Sequence, residues 1–80
     1  MTKMDKHDIS LLVEQQVSVA FIATPAPKPG TWHLLVKRGL ATTLMTTTRG
    51  TDRVFRSLDP IARFVSGELG CGFEVAYSRS

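Results

Sequence analysis

The chain has 80 residues, of which 42% are hydrophobic and 21% charged, and its formal net charge is +3. This length suits one small domain over residues 1–80 with one modest core, and it disfavours a second domain or a deep catalytic cleft. No apolar run approaches the roughly 18 residues that cross a bilayer. Residues 1–6 lack the basic segment followed by an apolar segment that is typical of a signal peptide. The single cysteine, Cys71, cannot form an intramolecular disulfide, so we expect a reducing, cytoplasmic setting without membrane contact.

The first third of the chain predicts a helix, a strand and a loop. Asp5 or Asp8 can cap a helix over roughly 5–16, because apolar residues recur there at helical spacing. One face of this helix carries Ile9, Leu12, Val13 and Gln16. From Val17 the apolar period changes to two, which predicts a strand up to Thr24 with Val17, Val19, Phe21 and Ala23 on one face. Three alternating prolines then predict a stiff loop over 25–30, since proline donates no ladder hydrogen bond.

The middle of the chain predicts three further strands. Residues 31–38 alternate, with Trp32, Leu34 and Val36 on one face. The threonine-rich segment 40–48 predicts a third strand, because β-branched residues favour strands. Residues 49–52 are typical of a hairpin turn, which leaves 53–56 as a short returning strand.

The last third predicts a helix and a closing strand. Ser57 or Asp59 caps the helix, and Pro60 occupies its first turn, where a missing N–H costs nothing. The apolar stripe is formed by Leu58, Ile61, Ala62, Val65 and Leu69, with Phe64 on its flank. Gly70 ends the helix, alternation over 73–77 predicts the final strand, and residues 1–4 and 78–80 are expected to fray. The predicted fold class is α+β, in the order α-β-β-β-β-α-β, with a curved antiparallel sheet and both helices packed on one face.

The residues that could carry chemistry show no catalytic pattern. His7, His33 and Cys71 have neither the pairing of a nucleophilic site nor the spacing of metal ligands, and no glycine-rich phosphate loop is present. We therefore expect a non-enzymatic protein without metal or cofactor. The threonines at 46–48 favour strand structure over a hydroxyl-rich binding surface. Trp32 and Phe55 favour a place in the core over stacking on nucleic-acid bases.

Charge along the chain gives the main functional signal. No acidic residue lies between Glu14 and Asp52, whereas four basic residues do. Such a stretch is compatible with attraction to a phosphate backbone, but its size favours an ordinary solvated surface. The candidate nucleic-acid-binding residues are Lys37, Arg38, Arg49, Arg53 and Arg56.

Residues 49–75 combine a basic turn, an aromatic strand, a Ser-Leu-Asp helix start, an amphipathic helix ending in Leu69-Gly70 and a closing Phe-Glu-Val strand. This pattern resembles small ParC-like, partition-associated accessory proteins of bacterial plasmids and mobile elements. The resemblance implies a cytoplasmic role near plasmid maintenance and carries over no functional residues. A looser likeness is to the double-stranded RNA-binding domain, from which the chain departs at residues 57–60 and in its additional final strand.

Three functions remain open from the sequence. The leading one is an accessory or adaptor protein that acts through protein contacts, including self-association at an exposed strand edge. The second is a DNA- or RNA-binding module that uses the five candidate basic residues. A small enzyme ranks third, because a convergent set of titratable groups is missing from the pattern.

Overall fold

The computed structural model describes residues 4–76, which form two helical segments and four strands. The strands are β1 (Ala20–Pro25), β2 (Trp32–Arg38), β3 (Ala41–Leu44) and β4 (Glu74–Val75). The helices are α1 (Lys6–Glu14) and α2 (Leu58–Ala62), and α2 continues as a π-helix over Arg63–Glu68. The α+β class is confirmed, in the order α-β-β-β-α-β. Within residues 4–76, no helix is both long and apolar enough to cross a membrane.

Helix α1 begins at a reciprocal cap. The Asp5 carboxylate accepts from the backbone N–H of Asp8 at 2.9 Å, and the Asp8 carboxylate accepts from the N–H of Asp5 at 3.1 Å. These bonds satisfy two donors that the helix itself leaves unpaired. Met4 was expected to fray, but it is 7% exposed and its carbonyl accepts from Thr46 N–H at 2.8 Å. The start of α1 is therefore tied to the segment that follows β3. The other residues expected to fray, 1–3 and 78–80, lie outside the described residues 4–76.

The sheet is open, with strand order β3-β2-β1-β4. Strands β1, β2 and β3 are antiparallel neighbours, whereas β4 pairs in parallel with β1. The prediction of a wholly antiparallel sheet was therefore wrong for the last strand. The reason is topological: β3 runs in the direction of β1, and the following helix carries the chain back before β4 begins. A helical crossover of this kind joins strands that run in the same direction.

The third strand is shorter than predicted, and the predicted fourth strand over 53–56 is absent as a continuous element. Met45 still donates from its N–H to the carbonyl of Leu34 at 2.8 Å, but Thr46 turns away to Met4. An isolated bridge between Thr46 and Asp52 closes the turn, and Phe55 then bridges Trp32. Residues 46–54 thus form an excursion from the edge of the sheet. The backbone hydrogen bonds of this segment go to several different neighbours, so they do not form a continuous β-ladder with one strand.

The second helical segment differs from the prediction at two residues. Ser57 occupies the N-cap position of α2, but its side chain makes no capping hydrogen bond. Phe64 was expected on the flank of the apolar stripe, yet it is buried together with Val65. The wider winding of the π-helix turns both neighbours inward, and Leu69 N–H bonds the Phe64 carbonyl at 3.0 Å.

The core lies between the helices and one face of the sheet. Phe21 and Ala23 of β1 and Leu34 and Val36 of β2 are buried on this face, as their alternation predicted. The buried residues contributed by the helical segments are Ile9, Ile61, Phe64 and Val65. Because both helical segments join the same cluster, their packing on one face of the sheet is confirmed.

Candidate functional site

The five predicted basic residues do not converge on one surface. Lys37 and Arg38 lie at one end of β2, where they pair with Thr42 and Ala41 of β3. The remaining three residues belong to the excursion or follow it directly, at the opposite end of β2 beside Trp32. At about 3.3 Å per residue, the strand separates the two groups by about 20 Å. The structure therefore gives two basic regions, and the second contains Arg49, Arg53 and Arg56.

The aromatic rings beside the second basic region belong to the core. Phe55 is 5% exposed, and Trp32 is partly buried against the same cluster. The Arg53 guanidinium lies 5.0 Å from the centroid of the Phe55 ring, a distance typical of a cation–π contact. The predicted core position is confirmed for Phe55, so its ring is covered and does not form a platform for bases.

The sheet face opposite the helices carries a row of aliphatic side chains. Strand register aligns Ile22 of β1 with Leu35 of β2 and Leu44 of β3, and all three are half-buried. We call these three residues the aliphatic row. The helices pack on the other face, so within residues 4–76 no helical core residue covers the row.

Two opposite charges flank the aliphatic row. Glu74 of β4 is the register partner of Ile22, and Lys37 of β2 lies one step from Leu35 along its own face. Both side chains line an open cavity of about 440 Å³ that also includes Ala20 and Ile22. The described residues contain no ion pair between Lys37 and Glu74. These two charges therefore do not neutralise one another within the described chain.

A second cavity, of about 370 Å³, lies on the side of the helices. It is a half-open cleft bordered by the start of α1, the π-helix and the excursion after β3. Its polar lining consists of Lys6, Thr46, Thr47, Thr48, Arg53 and Glu68. We call it the threonine cavity. The threonine run predicted as a strand interior thus leaves the sheet and lines this cavity instead.

The cationic groups of the threonine cavity are held in different ways. Lys6 Nζ lies 3.2 Å from Glu68 Oε1 and 6.0 Å from the centroid of the Phe64 ring. Arg53 rests on Phe55 and has no carboxylate partner among the described residues. Two cations therefore face one carboxylate, which leaves the lining with one excess positive charge.

The hydroxyl of Thr46 is exceptional in this lining. Thr46 is 8% exposed, its N–H donates to Met4, and its Oγ1 is buried without any hydrogen-bond partner among the described residues. The neighbouring Thr47 hydroxyl shares a hydrogen bond of 2.8 Å with the Thr51 hydroxyl. Sequence reasoning weighed the threonine run and Arg53 separately. It missed Lys6 and Glu68, which only the tertiary fold brings together.

The nucleophilic and metal-ligating residue types are distributed over the fold. His7 belongs to α1, His33 to β2 and Cys71 to the segment after the π-helix, where its Sγ donates to the Leu69 carbonyl at 3.6 Å. Within residues 4–76, no three His, Cys, Asp or Glu side chains group as a metal site would require.

Comparisons of the chain with protein-family models, with curated proteins and with solved structures gave no match. The resemblance of residues 49–75 to ParC-like proteins therefore stays a prediction. Any functional assignment then depends on the contacts and charges of the aliphatic row and of the threonine cavity.

Proposed function

We propose that the chain is a small, non-enzymatic accessory protein that acts through protein contacts, and that its partner at the open sheet face is a second copy of itself. The carrying observation is the aliphatic row, which is half-buried on the face that no helical core residue covers within residues 4–76. The resemblance of residues 49–75 supports a cytoplasmic setting near plasmid or mobile-element maintenance.

The charges beside the row favour a second copy as the occupant. In a two-fold contact the same patch faces itself, so a residue i that touches j is matched by j touching i. A patch that carries both Lys37 and Glu74 beside an apolar centre can be self-complementary across a two-fold axis. Each Lys37 then meets the Glu74 of the other copy, and the two rows bury one another.

The composition of the face also suits such a contact. Homodimer interfaces have an apolar centre and a polar rim, and burial of aliphatic surface is their main source of affinity. Here the centre is the aliphatic row, while Ala20, Lys37 and Thr42 form an exposed neighbouring row. Opposed charges at the rim fix the orientation and disfavour other partners.

Sedimentation velocity over a range of protein concentrations tests the proposal. We expect the wild-type chain to sediment as a dimer, and Leu35→Glu to sediment as a monomer, because a buried unpaired carboxylate at the centre of the contact is costly. Leu40→Glu is the matched control, since Leu40 is fully exposed in the β2–β3 turn outside the row. A wild-type chain that stays monomeric, or a dimer that both variants weaken equally, overturns the proposal.

A second candidate function is phosphate-backbone binding by the excursion. Arg49 and Arg53 are exposed on the same excursion, and neither has a carboxylate partner among the described residues. Because Phe55 is covered, such binding would use charge rather than base stacking, and its affinity would fall steeply with salt. Fluorescence anisotropy with labelled duplex and single-stranded DNA at about 50 and 200 mM salt tests it. Binding that collapses with salt and with Arg49→Ala/Arg53→Ala supports this candidate, and no binding at the lower salt rejects it.

A further inference from the structure

We infer that the threonine cavity binds a small phosphate monoester whose phosphate meets Arg53 and the threonine hydroxyls and whose body is apolar. The cavity lies on the helix side of the sheet, whereas the aliphatic row lies on the other side. The inference is therefore independent of the proposed self-association at the sheet face. The inference depends on three features of the threonine cavity, which are the unpaired Thr46 hydroxyl, the Arg53 guanidinium without a carboxylate partner among the described residues, and an apolar wall.

The buried hydroxyl of Thr46 lacks a hydrogen-bond partner among the described residues. Buried polar atoms in native proteins are almost always hydrogen-bonded, and each exception calls for an explanation such as a bound water or ion. Thr46 is more than nine-tenths buried, it lines the cavity, and its Oγ1 has no partner in the described part of the chain. The proposed site requires that this hydroxyl reach the ligand from the cavity lining, through a change of the side-chain rotamer. A ligand oxygen within hydrogen-bond distance of Thr46 Oγ1 gives this hydroxyl the partner that it lacks.

The charge of the lining selects an anion. Arg53 has no acidic partner among residues 4–76, and its guanidinium offers several donors in a fixed plane. A phosphate monoester carries about −1.5 to −2 charges at neutral pH and three acceptor oxygens, which is the group that arginine pairs with best. Thr46 contributes its unpaired hydroxyl, and the Thr47 hydroxyl can also donate when it accepts from the Thr51 hydroxyl. Glu68 opposes the anion by holding Lys6 at 3.2 Å, so the ligand competes with this carboxylate for the lysine.

The apolar part of the enclosure favours an ester over free phosphate. Met45, Phe55, Pro60 and Phe64 contribute to the wall. The volume of about 370 Å³ falls at the small end of ligand sites, which range from about 300 to 1,000 Å³. An aromatic or aliphatic group the size of a single ring fits this space while its phosphate reaches the threonines.

The direct test is a titration of ¹⁵N-labelled protein with phenyl phosphate, followed by amide chemical shifts and by calorimetry. We expect saturable binding with the largest shifts at residues 46–48 and at Arg53. Inorganic phosphate and benzoate serve as separate arms, and each should bind at least about tenfold more weakly, since one lacks the apolar body and the other the third acceptor oxygen. Absence of saturable binding by phenyl phosphate, or equal binding of all three probes, overturns the inference.

Variants locate the binding. Arg53→Ala should weaken phenyl phosphate about tenfold or more, whereas Arg63→Ala, an exposed arginine outside the lining, should leave it unchanged within about twofold. Glu68→Gln should strengthen binding, because it releases Lys6 to the anion. If the two arginine variants weaken phenyl phosphate binding equally, the binding depends on overall charge and not on a site at Arg53, and the inference fails.

Thr46 gives a readout that a purely structural hydroxyl would not produce. Thr46→Val removes an unpaired buried hydroxyl, so it should raise the Tm of the free protein while weakening phenyl phosphate. Thr46→Ser keeps the hydroxyl and should keep the binding. If Thr46→Val lowers the Tm, or if it lowers affinity no more than Thr46→Ser does, Thr46 has another role and the inference fails.

Discussion

Phe55 and Trp32 exchange two backbone hydrogen bonds of 2.8 Å, in which the N–H of each residue donates to the carbonyl of the other. In the register set by Leu35 and Leu44, a continued β3 would have brought Thr47 to Trp32. Phe55 takes that place, so the segment between them is free to leave the sheet. This exchange puts the threonines and Arg53 around a cavity instead of along a strand.

The first prediction concerns the anchor of the excursion. Phe55→Ala should lower the free energy of unfolding by about 3–5 kcal/mol, the usual cost of deleting a buried aromatic ring. Val54→Ala, at an exposed neighbouring residue, should change it by no more than about 0.5 kcal/mol. Urea unfolding monitored by circular dichroism gives both values. Similar losses for the two variants would show that Phe55 is not held in the core.

The second prediction separates the two helix starts. Asp5→Ala should cost about 0.5–2 kcal/mol of folding stability, because the Asp5 carboxylate accepts from the N–H of Asp8. Ser57→Ala should cost clearly less, since the Ser57 side chain makes no capping bond at α2. The same urea measurements distinguish the variants. A larger loss from Ser57→Ala would contradict the capping geometry described for both helices.

The third prediction compares two glycines of the second helical segment. Gly70 has a φ of +68°, and Gly67 lies within the π-helix, while neither has an atom within 4 Å of a built Cβ. Gly70→Ala should destabilise the protein by about 1–2 kcal/mol through left-handed backbone strain. Gly67→Ala should stabilise it by about 0.4–1 kcal/mol by restricting the unfolded chain. Thermal unfolding of both variants checks the opposite signs.

Local patterns in the sequence were sufficient for the first two strands and for the faces they bury. Alternation identified Phe21 and Ala23 of β1 and Leu34 and Val36 of β2, because a period of two is a property of the strand itself. The helix start at Ser57-Leu58 and the helix end at Gly70 were also predicted from local signals, namely a capping residue before Pro60 and a glycine after the apolar stripe. These features depend on neighbours in the chain and need no tertiary information.

The remaining features depend on contacts between distant segments. Threonine has a high strand propensity, but at Thr46 a bond to Met4 outweighs it. The inward turn of Phe64 depends on the π-helix, which leaves no signal in the apolar spacing. Lys6 and Glu68 meet only because α1 and the π-helix pack on the same face. The threonine cavity therefore could not be assembled from sequence alone.

The central claim is that two copies meet at the open sheet face, and a charge-swap cycle measured by sedimentation equilibrium tests it most directly. Lys37→Glu and Glu74→Lys should each weaken the dimer, because each places like charges opposite one another across the contact. The double variant restores opposite charges and should recover much of the wild-type affinity, with a coupling energy of about 0.5–3 kcal/mol. Recovery in the double variant is the predicted result. A wild-type chain that is monomeric throughout, or single-variant losses that simply add in the double variant, would contradict the account.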